Sequence, residues 1–184
     1  MVTKIRKIKK ETKGLLSLEA SIALTIFIFL MLFLYSFFVV FEARNQIGHV
    51  LLSTAESLSL DAFATDTLKD DESLKSIIYN IYSNSSESNG LYTENKKWYD
   101  EDDIKDVVKT RFLAYLSGGD NDEAEKILKQ LNIVDGLDGL DFSNCKVSGD
   151  ELSLEVKYSV DYEFQAFGLG RLTFSQSCCS KLWK

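Results

Sequence analysis

Twenty consecutive residues without a charge, from Ile22 to Phe41, constrain this chain more than any other feature of its sequence. At a helical rise of about 1.5 Å per residue, the run would extend roughly 30 Å, which is the thickness of the hydrocarbon layer of a bilayer. A cleaved secretory signal peptide has a shorter apolar core and a small-residue cleavage site, whereas Glu42-Ala43-Arg44 follows here. The run therefore predicts a transmembrane helix, which we assign to residues 15–41.

Charged residues are distributed unevenly on the two sides of this run. The chain has 184 residues and a net charge of −7, yet its first fourteen residues are strongly basic and the remainder is strongly acidic. Basic flanks stay on the cytoplasmic side of a membrane helix, so the N-terminus is predicted in the cytoplasm and the acidic part outside the cell. An acidic domain repels phosphate, which argues against a nucleic-acid partner. The predicted topology signal consists of Lys4, Arg6, Lys7, Lys9, Lys10 and Lys13.

Glu19 is a carboxylate just inside the apolar segment. A charged side chain at the centre of a membrane helix costs about 2.5–3.5 kcal/mol, and such residues usually mark a function. The residues alone leave a second interpretation open. Because Glu19 lies near the start of the helix, its carboxylate could reach the headgroups and interact favourably with the helix N-terminus.

The residues around Glu19 resemble the class III signal of type IV pilins and pseudopilins. A basic leader, residues 1–14, ends in Gly14, an apolar residue follows, and the glutamate is the fifth residue after the glycine. The segment 13–24 resembles more narrowly the start of TadE-like proteins, the minor pilin-like components of tight-adherence pili. Residues 168–176 and Trp183 resemble, more loosely, the closing strand of those proteins.

This resemblance implies that a prepilin peptidase cuts on the cytoplasmic side between Gly14 and Leu15. Glu19 would then meet the N-terminal ammonium of a neighbouring subunit and set the register of assembly, since a buried carboxylate is tolerable when a cation pairs with it. The implied function is that of a TadE-like minor pilin in the bacterial cell membrane, which assembles or primes a surface pilus. The implied partners are the lipid bilayer, other pilin-like subunits, the prepilin peptidase and the pilus assembly machinery.

Apolar periodicity predicts helices beyond the membrane segment. One apolar stripe formed by Ile47, Val50, Leu51, Ala55 and Leu58 indicates that the first helix continues over residues 42–68. Further helices are predicted within residues 69–134. They comprise a helix around 74–82, a helix over 104–116 that stops at Gly118-Gly119, and a helix that begins at Asp120, whose spacing to Glu123 indicates a capping box.

Strands are predicted within residues 140–183. Alternate residues from Leu152 to Phe164 are apolar, which predicts a long strand with one buried face. A shorter strand at 142–147 and a turn at 148–150 precede it, and a turn at 166–170 leads into a last strand. The predicted fold class is α+β. A long N-terminal transmembrane helix is expected to extend into an extracellular domain, residues 69–184. In this domain several helices would pack on a three-stranded antiparallel sheet, which resembles the architecture of pilin-like proteins.

The three cysteines match no zinc-binding spacing. With a strand order of 1-2-3, Cys145 and Cys178 would lie on opposite sides of the long strand, about 9–10 Å apart, which is too far for a disulfide. Cys178 is an even number of residues from Leu172 and Phe174 and therefore lies on the apolar face of the last strand, so it is expected to be a buried free thiol. Cys179 is expected to face outward.

Catalysis is not expected, because the only histidine, His49, lies beside the membrane segment, far from the predicted sheet. The acidic stretches 100–103 and 120–123 lack the pattern of a calcium loop and are interpreted as helix caps and solvated faces. No metal or cofactor is predicted. Two alternatives to the pilin interpretation remain: an unprocessed, signal-anchored extracellular binding or sensor domain, and a pseudopilin of a secretion or DNA-uptake system.

Overall fold

The computed structural model describes residues 2–67, 98–100, 104–161 and 170–183, with side chains for all of these except 2–16, 64–67 and 100. Within these ranges, the chain has a long N-terminal helix, two further helices and a three-stranded antiparallel sheet. The predicted α+β class is therefore confirmed. The predicted helix around 74–82, the end of the long strand after Asp161 and most of the turn at 166–170 lie outside the described residues.

Helix α1, Val2–Thr67, is one continuous element of 66 residues. At about 1.5 Å per residue, it is roughly 100 Å long. The chain contains no proline, so every residue of α1 keeps the amide that the helical hydrogen-bond ladder needs. The expected continuation beyond the apolar run is confirmed, and Ile47, Leu51, Ala55 and Leu58 are at most 1% exposed. One stripe of α1 therefore packs against the rest of the domain.

Helix α2, Lys105–Ser117, matches the helix predicted to stop at Gly118-Gly119. Gly118 adopts the left-handed conformation with φ of 69°, and its amide bonds to the carbonyl of Ala114 at 3.0 Å. A residue with a side chain is strained in this conformation, which explains why a glycine ends the helix here.

Helix α3, Asn121–Gln130, begins at the predicted cap. The Asp120 carboxylate accepts hydrogen bonds from the amides of Asp122 at 2.8 Å and Glu123 at 3.3 Å. The predicted capping box is only half formed, because the Glu123 carboxylate pairs with Lys126 at 3.0 Å. Asp120 therefore caps α3 without the reciprocal bond.

The sheet consists of β1 (Lys146–Ser148), β2 (Glu151–Asp161) and β3 (Arg171–Lys181) in the order β1-β2-β3. Both strand pairs are antiparallel, as the sequence predicted. Every second residue of β2 is at most 2% exposed, and α1 packs on this face. The buried residues are Leu152, Leu154, Val156, Tyr158 and Val160.

Strand β1 is shorter than the strand predicted at 142–147. Asp141 forms an isolated bridge with β2, but its carboxylate then accepts a hydrogen bond from the Ser143 amide at 2.9 Å. This local bond competes with the ladder and turns the chain away from β2. The Cys145 sulfur lies 3.3 Å from the Glu155 carbonyl oxygen, so a side-chain contact takes the place of backbone pairing there.

A buried ion pair joins α1 to α2. Arg111 Nη2 lies 2.8 Å from Asp61 Oδ2, and the two side chains are only 2% and 4% exposed. Arg111 Nη1 also donates to Ser57 Oγ at 3.0 Å. A charge buried in this way is tolerable only while its partner is present, so the pair specifies how the two helices are placed against each other.

We expect Asp61→Asn to lower the free energy of unfolding by about 3–5 kcal/mol, because it removes the carboxylate charge that lies 2.8 Å from the buried Arg111 guanidinium. The matched control is Glu123→Gln, which removes one carboxylate from the exposed pair with Lys126 and should change stability far less. The measurement is urea unfolding in mild detergent, followed by tryptophan fluorescence, in which Trp98 reports on unfolding because it is only 1% exposed while Trp183 is already 62% exposed. Equal losses in the two variants would contradict the role given to the buried pair.

Candidate functional site

Every side chain of α1 from Ser17 to Tyr35 is exposed. The large apolar residues of this stretch keep between 37% and 64% of their surface accessible. Soluble monomers rarely expose a contiguous apolar patch of more than a few hundred Å². By length and composition, α1 is the one helix among the described residues that could cross a membrane. This surface is compatible with a transmembrane helix or a signal anchor.

The domain begins to cover α1 before the uncharged run ends. Ser36 and Val40 are 7% and 6% exposed, whereas Phe37, Phe38 and Phe41 are 55–61% exposed. One side of the helix is already packed against protein here, while the opposite side remains open. Phe41 is the last residue of the uncharged run in the sequence, but packing of α1 onto the domain begins earlier, at Ser36.

Glu19 is exposed and is the one charged residue between Ser17 and Phe41. Its neighbours Leu18 and Ile22 are 64% and 54% exposed, so the carboxylate lies within the apolar surface. No side chain in the described part of the chain donates a hydrogen bond to it. The described residues therefore supply no hydrogen-bond donor for this carboxylate.

The predicted processing site lies on the same helix as Glu19. Helix α1 passes through Gly14 and Leu15 without a break. Glu19 follows Gly14 by five residues, which is about one and a half helical turns. The backbone of the predicted topology signal is also part of α1, while the side chains of residues 2–16 lie outside the described set. That signal consists of Lys4, Arg6, Lys7, Lys9, Lys10 and Lys13.

Two acidic residues outside α1, Asp141 and Glu125, have local structural roles. Hydrogen bonds from Ser143 hold the pKa of the Asp141 carboxyl below its ordinary value. The Glu125 carboxylate accepts a hydrogen bond from the Leu137 amide at 2.9 Å, and this bond lowers its pKa. Positions 101–103 lie outside the described residues, and within those residues no three His, Cys, Asp or Glu side chains are grouped to hold a metal.

The three cysteines are free thiols in different environments. Cys145 is buried on the β1 side of β2, and Cys178 is half-buried on β3 with its sulfur 3.7 Å from the Leu51 carbonyl oxygen. The strand order 1-2-3, on which the expected separation of these two thiols was conditional, is the order that the structure has. Burial raises the pKa of Cys178 to about 11 and also raises the pKa of Cys145. Cys179 is exposed, as expected.

Sequence reasoning missed a polar contact where α1 meets β3. Gln176 Nε2 donates to the Arg44 carbonyl oxygen at 2.9 Å. The Gln176 amide lies against Gly48, where an added Cβ would sit 3.4 Å from that nitrogen. The available signal was the glycine itself, because glycine in a helix interior costs about 1 kcal/mol relative to alanine and often indicates close packing.

Comparisons of the chain with protein-family models, with curated proteins and with solved structures give no match. The interpretation of α1 therefore depends on its own residues and geometry.

We expect a small alkylating reagent at pH 8 to modify Cys179 much faster than Cys178 or Cys145. The thiolate is the reactive form, and burial both shields the other two sulfurs and raises their pKa. The rates at Cys178 and Cys145 should increase as the pH rises, because more thiolate forms. Time-resolved mass spectrometry checks this, with Cys179→Ser as the variant that loses the fast phase and urea-unfolded chain as the control. Equal rates at the three sites in folded protein would contradict the described burial.

Proposed function

We propose that this chain is a TadE-like minor pilin: a membrane-inserted subunit that is cut after Gly14 and then assembles with other pilin-like subunits through α1. The observation that carries the proposal is the fully exposed apolar surface from Ser17 to Tyr35, with Glu19 as its single charged residue. A plain membrane anchor needs only the apolar surface, and its carboxylate would do no more than reach the headgroups or interact with the helix N-terminus. An assembly helix uses both.

The shape of the molecule supports assembly through α1. The apolar half of the helix has no protein cover on any side, whereas the outer half is fixed to the sheet by its buried stripe and to α2 by the Asp61–Arg111 pair. A neighbour that packs on the apolar half therefore orients the whole domain. This is the arrangement that a subunit with a helical core and a peripheral domain requires.

The proposed role of Glu19 follows from electrostatics in an apolar environment. Cleavage after Gly14 would create an ammonium at Leu15, about one turn before Glu19 along the helix. The ammonium of one subunit and the Glu19 carboxylate of the next would neutralise each other between packed helices. Only one relative height of the two helices brings these groups together, so the pair would set the register of assembly.

We expect the mature protein in cells with an active prepilin peptidase to begin at Leu15, and Gly14→Ala to retain the leader. The matched control is Gly48→Ala, a glycine of the same helix where an added Cβ meets Gln176 at an ordinary contact distance of 3.4 Å. This control should be processed like the wild type. N-terminal sequencing or mass spectrometry of the membrane fraction is the measurement. An intact leader on the wild-type protein would refute processing and favour the unprocessed anchor.

We expect Glu19→Ala to reduce assembly into surface pili at least about tenfold, because the Leu15 ammonium would lose its buried partner. Membrane insertion and cleavage should continue, since the apolar run and Gly14 are unchanged. Glu42→Ala is the matched control, because it removes an exposed carboxylate just beyond the apolar run of the same helix. Pili are counted by electron microscopy and the processed protein by immunoblot. Normal pili in the Glu19→Ala strain would disprove the register role.

A further inference from the structure

Among the described residues, strand β3 pairs with β2 on one side and with no strand on the other, so it is an edge strand of the described sheet. It runs for 11 residues, and all of them pair in one continuous register with β2. It contains no proline, and residues 172–180 carry no charge. Natural edge strands are normally short, charged or interrupted by a bulge, because a long open edge is a template for another strand.

The hydrogen-bond pattern identifies the groups on the open edge. The Leu182 amide donates to the Asp150 carbonyl at 2.7 Å, one step beyond the pair Glu151–Lys181. Backbone bonding alternates along an antiparallel pair, so the even-numbered residues of β3 bond to β2 and the odd-numbered residues point away. Ser59 Oγ donates to the carbonyl of Lys181, which confirms the direction of the odd-numbered groups. The open positions are Thr173, Ser175, Ser177 and Cys179.

The apolar face of the sheet is incomplete on the same side. Val160 and Leu154 of β2 are fully buried, but their partners on β3, Leu172 and Cys178, are only half-buried. Phe174 is half-buried as well, although it packs against Tyr158 with ring centroids 5.8 Å apart. In the sheet as the described residues form it, strand β2 has a neighbour on each side and β3 has one, so a fourth strand would complete the cover of these residues.

Helix α1 presents an exposed apolar line beside this edge. Phe41, Leu52 and Phe63 are 55%, 50% and 47% exposed. They recur every eleven residues, which is close to three helical turns, so they lie on one line along the helix. Gly48 and Ser59 of α1 contact β3. Residues four positions apart are neighbours on the surface of a helix, and Leu52 and Phe63 are four positions after Gly48 and Ser59. The apolar line therefore lies next to β3.

A shallow groove of about 580 Å³ occupies the space between α1 and β3. It is lined by Arg44, Asn45, Gln46, Gly48, His49, Leu52 and Gln176. Alternate side chains of an added strand would point into this groove and onto the apolar line.

The charges at the ends of β3 distinguish between possible occupants. Both ends are basic, Arg171 and Lys181, and on the β2 side they face Asp161 and Glu151. A second copy of β3 would place basic residues opposite basic residues in either direction, which is destabilising. An extended segment with an acidic residue near each end and alternating apolar residues between them would fit.

We propose that the open edge of β3, together with the line of Phe41, Leu52 and Phe63, is the docking site for one extended, acid-ended segment of a different polypeptide, added as a fourth strand. Main-chain hydrogen bonds to the odd-numbered residues of β3 supply the attachment. The alternate apolar side chains of the segment cover the half-buried residues of β3, and its acidic ends pair with Arg171 and Lys181. This inference depends on the fold alone and is independent of the proposed role of Glu19.

A labelled peptide with the sequence of β2, residues 151–161, tests the proposal, because this sequence has the required acidic ends and alternation. The full chain in detergent should bind it, and the amides of Thr173, Ser175 and Ser177 should then exchange more slowly with deuterium. Ser177→Pro removes an outward amide that β2 does not use, so it should weaken binding at least about tenfold while the fold is kept. Ser177→Ala is the matched control and should bind like the wild type. Unchanged Trp98 fluorescence checks the fold of both variants.

Two further variants test the chemistry of the site. Leu52→Glu should weaken binding, because it places a charge on the apolar line. A peptide with Glu151→Gln and Asp161→Asn should bind several-fold more weakly, since it loses both end charges.

Three results of the peptide experiments would overturn the proposal. They are the absence of peptide binding, equal binding by Ser177→Pro and Ser177→Ala, and equal binding of the charged and neutral peptides. Self-association of the chain that Ser177→Pro abolishes would assign the edge to a second copy and would also overturn it.

Discussion

The packing of one stripe of α1 against the apolar face of β2 is the interaction on which the rest of the domain depends. Ala43 and Ile47 on the helix, and Leu154 and Val156 on the strand, are fully buried between the two elements. Burial of a side chain of the size of valine or isoleucine stabilises by about 1.5–3 kcal/mol. A three-stranded sheet needs such a layer, because strands without a buried face are marginal in water. Without this contact, the apolar face of β2 and the buried stripe of α1 would both be exposed to water.

The same helix has a different environment in each half, and this links assembly to the domain. From Ser17 to Tyr35 no side of α1 is covered, and from Ser36 onward one side is buried. No proline or break separates the halves, so the helix can act as one rigid body. A neighbour that fixes the rotation or height of the apolar half therefore also fixes where the sheet faces. The Asp61–Arg111 pair extends this constraint to α2.

Features encoded by neighbouring residues could be predicted from the sequence. The period of two in β2, the stripe of α1 and the caps at Gly118 and Asp120 are local patterns, and the structure has them all. Glu19 and Gly14 could be singled out for the same reason. The Arg111–Asp61 pair could not, because 50 positions separate the two residues and only the tertiary fold brings them together. The late start of β1 depends on a hydrogen bond that the Asp141 carboxylate accepts from the Ser143 amide and that competes with strand pairing. The open edge of β3 depends on the strand order, which a strand pattern alone does not specify.

The direction of β3 relative to α1 determines how a partner could reach the domain. The two elements run in the same direction, because later residues of α1 contact later residues of β3. The contacts are Arg44 with Gln176, Leu51 with Cys178, and Ser59 with Lys181. If α1 crosses the membrane as proposed, β3 runs roughly along the membrane normal, and its free edge faces parallel to the membrane plane. A fourth strand would then extend along the membrane normal and approach from the side, at the height of the domain. The apolar half of α1 and the edge of β3 are thus separated along the length of the molecule, so one neighbour can pack on the helix in lipid while another pairs with the sheet outside it.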